Sequence, residues 1–269
     1  MTKSDEHHTS ILIIGGGVGP MAGVELHRKI IEHTSTNGTD QDHFSVVHLS
    51  FPAYISDRTG YLLEKTGRNP GDEMADVFEI GIHGLEKRGF GQGRVIAAGV
   101  PCNTFHAPPI FEAYLSRMKN TEPSVKVVHM LKESIELIHL LQPAARKIGL
   151  MATTGTRGSR VWHNLLQPEG YEVLEIDASM QEALHDTIYS PEWGLKAVSP
   201  ASRKARERFE QYADILIAMG AEAIILGCTE IPLALPGFRY GGVPLIDPVV
   251  ALARGMIREG DERKLRKLS

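Results

Sequence analysis

The sequence predicts an α/β protein of two similar domains. Each is a mostly parallel sheet flanked by helices, and the two are related by a pseudo-twofold axis with the functional site between them. Three observations predict this. Short apolar runs alternate with stretches whose apolar residues recur at helical spacing, the pattern of parallel strands with crossover helices. The chain has 269 residues, enough for two ordinary domains. A weak internal repeat links its halves. Each half opens with a strand running into a turn rich in Gly or Thr, Ile14-Gly15-Gly16 in one and Met151-Ala152-Thr153-Thr154-Gly155-Thr156 in the other. Each half later carries a strand that ends at a cysteine, in Pro101-Cys102-Asn103-Thr104 and in Gly227-Cys228-Thr229-Glu230.

Taken in order, Ile11–Ile14 reads as a buried strand, and Val24, His27, Ile30 and Ile31 mark the face of the helix after it. Phe44–Leu49 is the next strand, and Met74, Val77, Phe78, Ile82 and Leu85 mark the next helix face. The strand Arg94–Val100 precedes a helix marked by Phe111, Leu115 and Met118. In the second half, Lys147–Ala152 is a strand and Val161, Leu165 and Leu166 mark a helix. Tyr171–Ile176 is a strand, followed by a helix with Phe209, Tyr212, Leu216 and Met219 on one face. Ala223–Leu226 is the cysteine-bearing strand, and Leu252 and Met256 lie on a final helix. The boundary falls within 126–141. Residues 1–125 form the first domain with Cys102, and 126–269 form the second with Cys228, with a C-terminal return to the first domain allowed by the pattern.

Composition narrows the function classes. Lys and Arg total 29 against 33 Asp and Glu, a formal net charge of -4, and no basic cluster interleaved with aromatics marks a nucleic-acid surface. Nothing favours a membrane partner either: the apolar runs fall far short of the ~20 residues needed to span a bilayer. Met1–Ser10 is polar and lacks the apolar core of a signal peptide. The expectation is a cytoplasmic protein whose two cysteines stay reduced. His7 and His8 sit in the polar tail and are not read as a metal site. The basic stretch Arg258 to Lys267 reads as a solvated helix face.

The cysteines carry the chemical signal. Ligands of open parallel sheets bind beyond the carboxyl ends of strands, where both cysteines lie. A thiol at a helix N-terminus is acidified by free N–H groups, so the expectation is an enriched thiolate. A thiolate can remove a proton from carbon, and a thiol can return one. A lone buried cysteine is more often an apolar filler; two at equivalent points of two similar halves favour function. The turn Gly17-Val18-Gly19-Pro20-Met21-Ala22 matches a dinucleotide-binding pattern, but the following strand ends His48-Leu49-Ser50 without the acidic residue that pattern needs. We read the turn, Gly17 in particular, as backbone donors near a carboxylate.

Pro101-Cys102-Asn103-Thr104-Phe105-His106 resembles the CNTxH motif of the aspartate/glutamate racemase family, and Leu226-Gly227-Cys228-Thr229-Glu230-Ile231-Pro232-Leu233 its LGCTEIPL motif. Gly16-Gly17-Val18-Gly19-Pro20, Asp57-Arg58-Thr59, Ala152-Thr153-Thr154-Gly155-Thr156 and Ile188-Tyr189 with Lys196 resemble its weaker segments. The resemblance implies racemisation of an acidic amino acid without pyridoxal phosphate or metal. One cysteine, Cys102 or Cys228, removes the α-proton from one face, and the other returns a proton to the opposite face. It also implies a homodimer. On this resemblance Asn103, Thr104, Thr153, Thr156 and Thr229 are donors to the carboxylate beside the carbanion, although helix capping is an equal use for such residues. Arg58 and Lys196 are the clamps for the side-chain carboxylate. His106, four residues after Cys102, either orients it or is structural, and Glu230 either supports the second site or caps its helix.

The sequence departs from the family pattern around the substrate. Val18 stands for the usual Met, Met21 for Glu, Ser50-Phe51-Pro52 for Asn-Asn-Pro, and Ser56 for Pro. Aspartate, glutamate or a related acid therefore remain open as substrates. A maleate cis–trans isomerase, an arylmalonate decarboxylase and a non-catalytic carboxylate-binding protein are the alternatives on the same scaffold.

Overall fold

The computed structural model describes residues 10–268; the polar tail with His7 and His8 lies outside them. Nine strands and nine α-helices lie among these residues, alternating as far as the fifth strand, after which two pairs of helices and the last three strands follow one another directly. The first sheet holds β1 (Ile11–Gly16), β2 (Ser45–Ser50), β3 (Ile96–Gly99) and β4 (Val125–Val127) in the order β2-β1-β3-β4, all parallel. The second holds β5 (Lys147–Ala152), β6 (Glu172–Glu175), β7 (Ala223–Gly227), β8 (Arg239–Tyr240) and β9 (Val243–Ile246). Its order is β6-β5-β7-β9-β8, parallel except for the β8–β9 edge.

The helices are α1 (Pro20–His33), α2 (Pro70–Lys87), α3 (Pro108–Met118), α4 (Met130–Leu141), α5 (Thr154–Gly158), α6 (Val161–Leu166), α7 (Ala178–Tyr189), α8 (Arg203–Ala218) and α9 (Pro248–Asp261). Local chemistry fixes their starts. Pro20, Pro70, Pro108 and Pro248 open helices where no amide donor is needed. Asn69, Thr153, Asp177, Ser202 and Asp247 accept from the first-turn amides.

Side chains alternate across each sheet and build three apolar layers. Ile11 and Ile13 of β1 pack with Met74 and Phe78 of α2 and Tyr114 of α3. Leu12 and Ile14 point the other way, into a layer with α1, α4, α6 and α9 that also receives Ile148, Leu150 and Ile225 from the second sheet. Met151, Ile224 and Leu226 face α7 and α8. One apolar layer is therefore common to both sheets. It leaves the carboxyl ends of the central strands β3 and β7 as the polar ground between them.

The structure corrects several sequence expectations. The buried face of α1 is Ala22, Leu26 and Ile30, whereas Val24 and Ile31 are 51% and 49% exposed. Both faces satisfy helical spacing; contact with β1 and α9 selects between them. Met219 is likewise exposed, one residue past the end of α8. Within 126–141 the chain finishes β4, which pairs with β3, and forms α4. α9 packs on α1, α4 and β3, so closely that a Cβ on Gly99 would touch Met256 and Leu252. The basic C-terminus is not a solvated helix face. α9 stops at Asp261, Lys264 pairs with Asp42, Arg266 donates to the Thr34 carbonyl, and Arg258 pairs with Glu133. No helix of the described residues is long and apolar enough to cross a membrane.

Two glycines of α2 test its packing with opposite signs. A Cβ on Gly71 would overlap the Ile110 carbonyl oxygen of α3, while one on Gly84 would meet open space. Gly71→Ala is expected to lower stability by about 1–3 kcal/mol, and Gly84→Ala to raise it by about 0.5–1 kcal/mol. Urea unfolding of the two variants checks this; a tolerated Gly71→Ala would refute the close crossing of α2 and α3.

Candidate active site

The cleft lies where β3 and β7 end. β3 stops at Gly99, and Val100-Pro101 carries the chain to Cys102. β7 stops at Gly227, and Cys228 follows at once. One thiol thus comes from each sheet, and both line a cleft holding about 370 Å³ of empty space, its mouth included. Arg58, Asn103, Thr104, Thr153, Thr156, Lys196 and Thr229 line the same cleft, together with Val18, Asp57, Thr59, Tyr189 and Glu230.

Gly17 is the sequence-predicted residue that the cleft does not include. Its positive φ of 88° serves a turn pressed on the backbone of Phe51 and Pro52. Gly19 lies against the site instead: a Cβ there would stand 3.0 Å from Glu230 Oε1. Its neighbour Val18 supplies a carbonyl acceptor rather than a donor.

Neither cysteine begins a long helix. Cys102 precedes a single tight turn at Thr104–His106, and Cys228 precedes another at Ile231–Leu233. The expected acidification by a helix N-terminus is therefore absent at Cys228. Burial pushes its thiol well up, and the neighbouring Glu230 carboxylate adds to this while Lys196 opposes it.

His106 is an anchor. The Met130 amide donates to its Nε2 at 3.2 Å, so Nδ1 carries the proton and donates to the Cys102 carbonyl at 2.8 Å. The ring is buried and stacked on Phe111 at 4.7 Å. Burial, helped by His129, holds His106 well below the ordinary histidine range, so it stays neutral. This fixes the Cys102 loop to the start of α4, and it resolves the two sequence readings of His106 toward structure.

Glu230 is the centre of the second half-site, and it is buried. Its Oε2 accepts from Cys228 Sγ at 3.0 Å and from Thr229 Oγ1 at 3.0 Å, and its Oε1 meets Lys196 Nζ at 2.6 Å. Burial alone would raise this carboxyl, but the Lys196 charge and the three donors outweigh it and hold it below its ordinary value. Burial likewise works against the Lys196 ammonium, and the Cys228 and Glu230 charges reverse that. Lys196 is thus committed to a carboxylate of the protein rather than standing free as a clamp. The Thr229 hydroxyl proton is committed to the same carboxylate.

Arg58 behaves differently. Its Nη2 donates to the Val18 carbonyl at 3.1 Å and Nη1 to the Ser56 carbonyl at 3.3 Å. Nε is buried without a partner, and Arg58 makes no ion pair among the described residues. Its loop is held by Glu73 at the start of α2, which accepts from Ser56 N at 2.6 Å and Ser56 Oγ at 3.0 Å. Burial opposes the guanidinium charge, but Cys102 and Asp57 nearby raise it above its usual range. Asn103 also lines the cleft, with both side-chain polar atoms buried and unpartnered. Unpaired buried polar groups cost about 1–3 kcal/mol each, so a cluster of them beside an unpaired cation is a site prepared for an anion.

The threonines join the two halves. Thr104 Oγ1 and Thr156 Oγ1 lie 2.8 Å apart, and Thr156 Oγ1 lies 3.1 Å from Thr153 Oγ1. Thr153 also caps α5, so capping and lining the cleft coexist. Gly155 packs under Thr59 with no room for a Cβ, which seats the Arg58 loop on α5.

Sequence reasoning left out Tyr189, the last residue of α7, as a site residue. Burial pushes its phenol up to about 12, with Cys228 and Cys102 both near enough to act on it. The signal that could have found it was the Ile188-Tyr189 with Lys196 segment, from which only Lys196 was given a role. Among the described residues no three His, Cys, Asp or Glu side chains gather in a way that could hold a metal ion.

Comparison with known proteins agrees with this architecture. The aspartate racemase of Picrophilus torridus is similar over 93% of this chain and 94% of its own, with a TM-score of 0.72 at 24% identity. The glutamate racemase of Francisella tularensis, solved with D-glutamate, is similar over 97% of this chain and 84% of its own, with a TM-score of 0.55 at 15% identity. At these identities the likeness is one of fold. A curated protein of Pectobacterium carotovorum, described as an uncharacterized protein in the pnlA 3' region, is 33% identical over 89 residues, and the match covers 33% of this chain and 55% of that protein. The family model Asp/Glu/Hydantoin racemase matches residues 16–256, a span that contains both cysteine motifs and every residue of the cleft. The chain belongs to the Asp/Glu/Hydantoin racemase family.

Proposed function

We infer that this protein interconverts the L and D forms of aspartate, glutamate or both without a cofactor, with Cys102 and Cys228 as its two proton-transfer groups. One observation carries the reading: a thiol from each sheet lines a single cleft beside a half-buried guanidinium that makes no direct ion pair among the described residues and keeps a buried Nε without a partner. Arg58 receives a substrate carboxylate through its unused Nε and the outer guanidinium nitrogens. The α-carbon then sits between the thiols.

Removal of the α-proton drives charge onto the adjoining carboxylate. Asn103, whose amide has no partner among the described residues, and the hydroxyls of Thr104, Thr153 and Thr156 are buried dipoles lining the cleft. Such donors favour the charge-shifted state over the ground state because they need no reorganisation when charge develops. The thiolate abstracts from one face and the opposing thiol delivers to the other, so α-hydrogen exchanges with solvent as the centre inverts. A homodimer in the cytoplasm goes with this reading, and sedimentation of the purified protein tests the dimer.

The decisive measurement is incubation with L- and D-aspartate and L- and D-glutamate in D2O without pyridoxal phosphate, followed by NMR and chiral analysis. Exchange of the α-hydrogen with inversion is expected. Binding without exchange would mark a passive carboxylate-binding protein, and turnover of maleate alone an isomerase. Cys102→Ala and Cys228→Ala should each lower kcat/KM for racemisation by about 10²–10⁴-fold, the usual worth of a general acid or base; near-normal activity in either would remove that thiol from the mechanism. Arg58→Lys keeps the charge but loses the fork, and a loss of about ten- to a hundredfold in kcat/KM, mainly in KM, is expected from two broken charge-assisted bonds. An unchanged KM would refute the carboxylate role of Arg58.

A further inference from the structure

Glu73 is a buried carboxylate that the proposed reaction does not use. It stands in the first turn of α2, on the buried face that also carries Met74, Val77 and Phe78. An ionised side chain is costly in such a place unless its oxygens are met by donors. Here one residue meets both. Ser56 N donates to Glu73 Oε2 at 2.6 Å, and Ser56 Oγ donates to Oε1 at 3.0 Å. The free N–H groups at the start of α2 add a favourable field. Among the described residues no cation pairs with Glu73; Arg68, which feels its charge, is exposed and pairs with Asp76.

Ser56 leads directly to the clamp. Its carbonyl accepts from Arg58 Nη1 at 3.3 Å, and the Val18 carbonyl accepts from Nη2 at 3.1 Å. Two carbonyls from two segments thus hold the outer nitrogens of the guanidinium, while Nε is left without a partner. The placement of Ser56 decides where one of those acceptors lies. We propose that Glu73 is a positioning residue for Arg58, gripping Ser56 at its amide and its hydroxyl so that the guanidinium keeps one orientation in the cleft. This rests on the reading of Arg58 as the carboxylate clamp and adds what holds it in place.

The neighbouring chain gives Glu73 this task. Tyr54 Oη donates to Asp76 at 2.7 Å, and Ile55 joins the apolar layer of Met74 and Phe78, so the segment before Arg58 lies along α2. Gly67, at a φ of 80°, closes over Ser56, where a Cβ would stand 3.1 Å from both Ser56 Cβ and Oγ. After Arg58 the loop is held by other means, with Gly60 N donating to Asp57 Oδ2 at 2.6 Å and Gly155 packed under Thr59. Glu73 is thus the polar attachment on the α2 side of the clamp. Ser56 stands where the family pattern has Pro, which has no N–H and no hydroxyl to give. A chain that keeps that Pro cannot form this grip.

A guanidinium held by the protein loses less freedom when a carboxylate arrives than one that must first be ordered. Loss of Glu73 therefore acts on substrate binding and leaves the thiols as they are. It acts through Arg58, so its effect disappears once the guanidinium is gone. In Arg58→Lys no planar fork remains for the Ser56 and Val18 carbonyls to align.

The experiment measures KM and kcat for aspartate and glutamate, with calorimetric Kd values beside them, in Glu73→Ala, Glu73→Gln and Ser56→Ala. Each is made in the wild-type chain and again together with Arg58→Lys. Glu73→Ala is expected to raise KM about three- to tenfold, the worth of ordering one long side chain, with kcat within about twofold of wild type. Ser56→Ala removes one of the two bonds and is expected to raise KM less. Glu73→Gln keeps an oxygen for Ser56 N and offers its NH2 to Ser56 Oγ, so its KM is expected to stay near that of wild type. Combined with Arg58→Lys, Glu73→Ala is expected to add less than about twofold to KM. An unchanged KM in folded Glu73→Ala would overturn the proposal. So would an equal rise in both backgrounds, because damage that bypasses Arg58 multiplies with its loss. If Glu73→Ala fails to fold, Ser56→Ala in the two backgrounds decides by the same criterion. A wild type that binds these amino acids without racemising them sinks the racemase reading alone, and the Kd values then decide the role of Glu73. A wild type that does not bind them overturns both.

Discussion

The buried carboxylate of Glu230 is the constraint around which the second half-site is organised. An ionised carboxylate deprived of water survives only if its oxygens are met by donors and its charge by a cation. Here three side chains from two segments supply them: Cys228 and Thr229 from the end of β7, and Lys196 from the loop after α7. Once that requirement is met, the position of the Cys228 thiol is fixed, the loop after α7 is drawn over the cleft, and Tyr189 is carried to its edge. Gly19 completes the arrangement, since a side chain there would strike Glu230 Oε1.

The first half-site is held by different means. Among the described residues no carboxylate hydrogen-bonds to Cys102; its loop is pinned through its own carbonyl by neutral His106, which in turn takes the Met130 amide. Arg58 stands beside this thiol as a half-buried cation whose Nε is left without a partner. The two cations are held differently: Lys196 is hydrogen-bonded to Glu230, whereas Arg58 has Asp57 nearby but no direct ion pair among the described residues, and its Nε has no partner. In the proposed reaction that difference orients a dicarboxylic amino acid, since Arg58 keeps a donor not already given to a carboxylate.

Both half-sites depend on the apolar layer shared by the two sheets. Leu12 and Ile14 from one, Ile148, Leu150 and Ile225 from the other, and α4 and α9 between them bury against one another. Because the contact is extensive and apolar, the ends of β3 and β7 keep a fixed relation, and the bridge from Thr104 to Thr156 adds a polar tie at the cleft itself. Without that relation the thiols would be two unrelated buried cysteines.

The sequence by itself determined most of the strands and helices, though not β4, α4, α5, α7 or the β8–β9 edge, together with the two strand-end cysteines and most of the cleft. Short apolar runs and helical periods are local properties, and the residues flanking Cys102 and Cys228 stay beside them in space because they follow them in the chain. What only the tertiary structure decided are the choices that local pattern leaves degenerate. Helical spacing allowed two faces for α1, and packing on β1 and α9 chose Leu26 and Ile30 over Val24 and Ile31. The sequence reading of the Gly-rich turn chose Gly17, but the arrival of Glu230 from more than 200 residues away set Gly19 against the site. Lys196 read as a free cation until the fold set Glu230 beside it, while Arg58 kept its unpaired donors. The commitment of a charged side chain is a question of which partner shares its burial, and a one-dimensional pattern does not carry that information.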